Sequence, residues 1–144
     1  MNLTQKPVKN FTSGRGGYRP WIVVIHIADG SQSSIYYTFS DAGSRKSAHY
    51  AVDINGAVWQ FVNEENMTWA NGKVAHPTSE FVKSKPNINP NQYSISIEHA
   101  GYGHTDITPE QYEVTAELVR GICQRWGIPI DRSHIIGHRE IYKY

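Results

Sequence analysis

Two histidines and one glutamate stand at the ends of apolar runs, where a folded chain can bring reactive groups together. His26 closes "WIVVIHI" just before Ala28-Asp29-Gly30, and His138 follows Ile135-Ile136-Gly137. Glu98 ends "YSISIE", on the side of that run whose other members are Ser94 and Ser96. A neutral imidazole offers a lone pair to a metal or a proton, and a carboxylate among small polar neighbours can carry a proton for a bound substrate. Two histidines and a glutamate on separate strand ends suggest a zinc hydrolase. Plainer roles stay open: His26 as a core histidine bonded to a backbone carbonyl, Glu98 as a strand-end carboxylate in solvent. His134 and His138 are four apart, which would suit one metal on a helix. The intervening Ile-Ile-Gly argues for a strand and turn, where four residues span roughly 13 Å and cannot share a zinc. His138 is therefore the candidate ligand and His134 a neighbour or structural residue.

The elements that position these groups follow from apolar periodicity and turn signals. Residues 21–27 are a continuous β-branched run bounded by Pro20 and Asp29-Gly30, as in a strand covered on both faces. Residues 31–43 read as a helix opened by a serine cap and closed by Gly43. "AHYAVDINGAVWQFV" reads as two strands around Asn55-Gly56. Residues 93–100 alternate, with Tyr93, Ile95, Ile97 and His99 on one face. Thr108, Pro109, Gln111 and Gly127 bracket a helix whose expected apolar stripe is Tyr112, Ala116, Val119, Cys123 and Trp126, with Leu118 and Ile122 beside it. "HIIG" is a last short strand. Residues 1–20 read as a polar leader on the surface, and 64–91 as a long loop of the kind that is usually functional. The expected fold class is α/β: one mixed central sheet flanked by helices, in one domain over 1–144.

Composition excludes several function classes. The net charge is +1 with Lys and Arg scattered, so no nucleic-acid partner is expected. No apolar run approaches the roughly 20 residues that cross a bilayer, so no membrane insertion is expected. The first 20 residues contain no apolar segment of a signal peptide. Cys123 is the single cysteine, which excludes an internal disulfide framework.

In order, "WIVVIHIADG", "SAHYAVDINGAVWQFV", "TWANG", "NQYSISIEHAG", "TPEQYEVTAELV" and "IIGHREI" resemble the zinc-dependent N-acetylmuramoyl-L-alanine amidases of type 2, relatives of peptidoglycan recognition proteins. The likeness runs from about residue 20 to the end. It implies the fold of that superfamily, a Zn2+ cofactor and bacterial peptidoglycan as substrate. It implies His26 and His138 as zinc ligands and Glu98 as the catalytic acid/base. Some members carry a catalytic tyrosine just before the histidine of the "SxHY" segment; here that position is Ala48. His49, Tyr50 and Trp69 are expected in the walls of a substrate groove.

The implied reaction is cleavage of the amide between N-acetylmuramic acid and L-alanine, with zinc activating water and Glu98 shuttling the proton. The family's third ligand is a Cys or Asp in a Cys-Pro or Asp-Pro motif after the second histidine. From His138 that place falls past Tyr144; Cys123 is no substitute on its helix, and Lys143 receives no role. The resemblance thus leaves room for a trimmed catalytic domain with a wall-binding domain following it. It also points to a phage or prophage lysin made in the host cytoplasm and acting on the cell wall. Two alternatives remain: a non-catalytic peptidoglycan-binding module with an incomplete zinc site, and a zinc peptidase for another substrate.

Overall fold

The computed structural model describes residues 1–102 and 104–143. Its elements are β1 (Leu3–Gln5), β2 (Ile22–Ile27), α1 (Gln32–Ser40), β3 (Tyr50–Val52), β4 (Val58–Gln60), α2 (Glu80–Lys83), α3 (Pro90–Tyr93), β5 (Ser94–His99), α4 (Pro109–Trp126) and β6 (Ile135–Gly137). The strands form one mixed sheet in the order β1-β4-β3-β5-β2-β6. Only the β3–β4 hairpin is antiparallel; β2, β5 and β6 run parallel side by side. Gly56 sits at φ 88° in the hairpin turn, a conformation in which a side chain is strained.

Alternation along the central strands divides their side chains between two layers. Val23, Ile95 and Ile97 face α4 and pack on Leu118, Val119, Ile122 and Cys123. Ile22 and Val24 face the other way, onto Val82, Tyr93, Ile136 and Ile141. The helix α4 is bracketed as its sequence predicts. Thr108 Oγ1 accepts from Gln111 N at 3.1 Å, Gln111 Oε1 accepts from Thr108 N at 2.9 Å, and Gly127 ends the helix at φ 67°.

Four local expectations are corrected. The leader is not merely superficial: β1 adds an edge strand along β4, and Val8, Asn10 and Arg15 are buried. Arg15 donates to the carbonyls of Glu64 (2.7 Å) and Ser94 (2.9 Å), stapling the leader to two distant segments, and burial holds its pKa down at about 10. Helix α1 ends at Asp41 rather than Gly43, because a 3-10 turn over Ala42–Ser44 takes up the chain. The 64–91 segment contains α2 and the start of α3. The buried stripe of α4 is rotated, with Gln111 and Thr115 inside and Tyr112 70% exposed. Gln111 can lie inside because its Nε2 donates to Val52 O and Ala100 O, which a tyrosine ring could not do.

Beneath α4, the buried Glu64 carboxylate accepts from Arg125 Nε and Nη2 (2.9 and 2.7 Å), Tyr50 Oη (2.5 Å) and Trp126 Nε1 (3.0 Å). Burial alone would raise its pKa, but the hydrogen bonds outweigh that and hold it below the usual carboxylate value. A lowered carboxylate pKa stabilises the fold above the unfolded-state pKa of about 4.3 and stops doing so as pH falls through the folded-state value. Arg125 is half exposed, so screening discounts its share. Glu64→Gln is expected to lose about 1–3 kcal/mol at neutral pH. Urea unfolding of both proteins should show that gap closing in acid.

Candidate active site

Parallel register brings the three chemical residues to one end of the sheet. His26 on β2 pairs with Glu98 on β5, and Ile25 pairs with Gly137 on β6, one residue before His138. All three side chains line one cavity of roughly 390 Å3, together with Trp69, Asn71 and the Ser44–Ser47 turn. The His26 and His138 rings lie 4.7 Å apart between centroids, and His26 Nδ1 is 3.7 Å from Glu98 Oε1.

Hydrogen-bond partners decide which nitrogen of each ring is free. His138 Nε2 is 2.9 Å from Asn71 O, and a carbonyl can only accept, so Nε2 carries a proton, and the neutral ring has its lone pair on Nδ1. His26 Nε2 is 3.2 Å from Ser96 Oγ, while its Nδ1 lies beyond hydrogen-bond reach of Glu98. The arrangement that satisfies His26 likewise puts the proton on Nε2. Burial, then the neighbouring His138 and His99, push the His26 pKa down to about 3, which keeps that ring neutral. Its backbone is held as well: His99 Nδ1 donates to His26 O at 3.0 Å and Thr115 Oγ1 donates to His99 Nε2 at 2.7 Å.

Glu98 is largely buried, and burial pushes its pKa up to about 7 against a smaller downward pull from Lys46. Glu98 Oε2 and Asn71 Oδ1 are buried without a hydrogen-bond partner among the described residues. Unpaired buried acceptors are rare and call for a cause, and a reactive role for Glu98 at the cavity would supply one. Arg45, held in the left-handed region at φ 53°, and Lys46 bring positive charge to the same cavity.

The structure does not bring His49 and Tyr50 to the cavity, which corrects their expected place in its walls. His49 is fully buried beneath it: Nδ1 accepts from Ser96 N at 3.1 Å and Nε2 lies 2.9 Å from Asn66 O. Tyr50 points to the α4 side of the sheet and ends on Glu64. One residue along a strand reverses the face, so "HY" could not supply both side chains to one groove. Trp69 does line the cavity, with its indole N–H on Thr12 Oγ1. His134 is bonded to Asp131 at the start of β6, at the other end of the sheet. Sequence reading passed over Arg15, Arg45, Lys46, Asn71 and Ser96. Only Ser96 carried a signal, as a small residue on the Glu98 face.

The two bare Nδ1 atoms suit two positions of a zinc ion, and each ring's proton is held elsewhere, as in known zinc sites. The third ligand expected beyond Tyr144 lies outside the described residues. Among those residues no group of three or more His, Cys, Asp or Glu is arranged to hold a metal.

Because the folded-state pKa of Glu98 lies above the unfolded-state value, the folded chain holds this proton more tightly. Stability therefore falls as pH rises between the two values. Glu98→Gln, measured by unfolding of metal-free protein, is expected to gain stability over wild type between about pH 5 and 8, up to about 3 kcal/mol.

Solved structures share this architecture. A selenomethionine derivative of AmpD superposes with TM-score 0.80 at 20% identity, covering 99% of this chain and 84% of that one. The PlyG catalytic domain gives 0.71 at 21%, covering 98% and 80%. The N-acetylmuramyl-L-alanine amidase AmiD from E. coli, in complex with the substrate anhydro-N-acetylmuramic acid-L-Ala-D-gamma-Glu-L-Lys, gives 0.70 at 23%, covering 89% of this chain and 52% of that one. These likenesses show the fold. A search of curated proteins finds no significant match. The family model described as N-acetylmuramoyl-L-alanine amidase matches residues 16–143, from just after the buried Arg15 through the His138 turn, and the chain belongs to that family.

Proposed function

We propose that the chain hydrolyses the amide joining the lactyl group of N-acetylmuramic acid to L-alanine in bacterial peptidoglycan. The observation that carries the reading is the convergence of two imidazoles, each bonded to the protein through Nε2, and a buried carboxyl near pKa 7 in one cavity. His26 and His138 would hold a zinc ion through Nδ1. Zinc so bound supplies polarisation of the scissile carbonyl and a more acidic water.

The chain's own groups do the rest. Glu98, poised near neutrality, accepts a proton from the attacking water as its oxygen bonds to the carbonyl carbon. As the carbon–nitrogen bond breaks, the same carboxyl returns that proton to the leaving nitrogen of L-alanine, and the lactyl group is left as a carboxylic acid that gives its remaining proton to the released amine or to solvent. Trp69 offers a flat wall. Arg45 and Lys46 give the cavity a positive rim that suits an anionic stem peptide. Action at the wall as a phage lysin belongs to the same proposal, and solved structures described as endolysins share the fold.

One observation favours a second reading. The described residues supply two nitrogen donors and no cluster of three, which suits a module that binds peptidoglycan without cutting it. Muropeptide digestion with product analysis separates the two. The enzyme releases free L-alanine amino termini, and Glu98→Ala is expected to lower the rate about 10²–10⁴-fold. His26→Ala should remove both zinc and activity. If wild type with zinc binds muropeptide and releases no amino termini, the binding reading stands instead. Lysis by Glu98→Ala at the wild-type rate would sink the catalytic assignment.

A further inference from the structure

Ser96 lies on β5 two residues before Glu98 and is fully buried. Its backbone N–H is committed to His49 Nδ1, and its hydroxyl is 3.2 Å from His26 Nε2. The main chain at His26 is pinned independently by the His99 bond to its carbonyl, with Thr115 behind His99. What remains to be set at His26 is therefore its ring and the place of the single ring proton.

There are two ways to place that proton. On Nε2 it is donated to Ser96 Oγ, and Nδ1 is left bare in the cavity. On Nδ1 it leaves Nε2 to accept from the Ser96 hydroxyl, but the proton itself then faces Glu98 Oε1 at 3.7 Å, too far for a hydrogen bond unless the ring turns toward the carboxyl. The second form would occupy the lone pair that a metal needs and would tie up the oxygen that must handle protons.

We propose that Ser96 is a positioning residue: its hydroxyl holds the His26 proton on Nε2 and so keeps Nδ1 free as a metal-ligating atom. This deepens the amidase reading and rests on it. Serine is well suited because a hydroxyl can act as acceptor while adding little volume between two packed strands. Alanine in its place leaves a buried Nε2–H with no acceptor, and the ring escapes that penalty by moving its proton to Nδ1 and turning to Glu98. The same substitution leaves the His49 bond intact, since that bond comes from the Ser96 backbone. The effect is thereby confined to His26.

The test uses the full chain labelled with ¹⁵N at histidine. Long-range ¹H–¹⁵N spectra of the metal-free protein report which ring nitrogen of His26 carries the proton, and chelator competition reports zinc affinity. Wild type is expected to carry the proton on Nε2. In Ser96→Ala it should move largely to Nδ1, with a zinc dissociation constant raised about 10–100-fold. Ser96→Thr, which keeps the hydroxyl, should restore the wild-type tautomer. An unchanged tautomer in Ser96→Ala overturns the proposal, and so does a shifted tautomer with unchanged zinc affinity. A wild-type His26 protonated on Nδ1 overturns it without any variant, so the test survives a substitution that fails to fold. Muropeptide cleavage is not among these readouts. A chain that cuts nothing yet shows these results loses the functional reading and keeps the role of Ser96, and the converse also holds.

Discussion

The parallel pairing of β2 with β5 and β6 is the constraint on which the site depends. Parallel neighbours end on the same side of a sheet, and the loops leaving those ends build sites there. The register then does the fine placement. His26 stands opposite Glu98, and the turn after Gly137 delivers His138 beside them. A slip of one residue on any of these strands would turn its chemical side chain to the opposite face, toward α4. The apolar residues on both faces are therefore part of the site's geometry, because they hold that register.

Burial works differently on the two acids of this fold. Glu64 and Glu98 are both withdrawn from water, yet their pKa values move in opposite directions. Glu64 is met by Arg125, Tyr50 and Trp126 and stays charged. Glu98 has an unpaired oxygen and a weaker downward pull from Lys46, so desolvation prevails. One is a structural ion held by donors, the other a carboxyl kept near neutrality at some cost in stability. That difference separates a packing residue from a reactive one more clearly than burial does.

The histidines divide in the same way. His49 and His99 have both ring nitrogens occupied by protein atoms. His26 and His138 each have one nitrogen occupied and one facing the cavity. The occupied nitrogens are no less important, since they orient the free ones. His99 belongs to this support without touching the cavity, by fixing the carbonyl of the residue that does.

By itself, the sequence determined the elements whose causes are local. The β-branched run of β2, the capping box of α4 and the Asn55-Gly56 turn depend on neighbours a few residues away, and they appear where their residue types place them. The positions of His26, Glu98 and His138 at strand ends were legible for the same reason. Only the tertiary structure decided which side chains share a wall. It turned Tyr50 to Glu64, sank His49 below the cavity and buried Arg15 among carbonyls far along the chain. It also set Ser96 against His26, across 70 residues. Such pairings depend on register between distant strands, and no local propensity records that register.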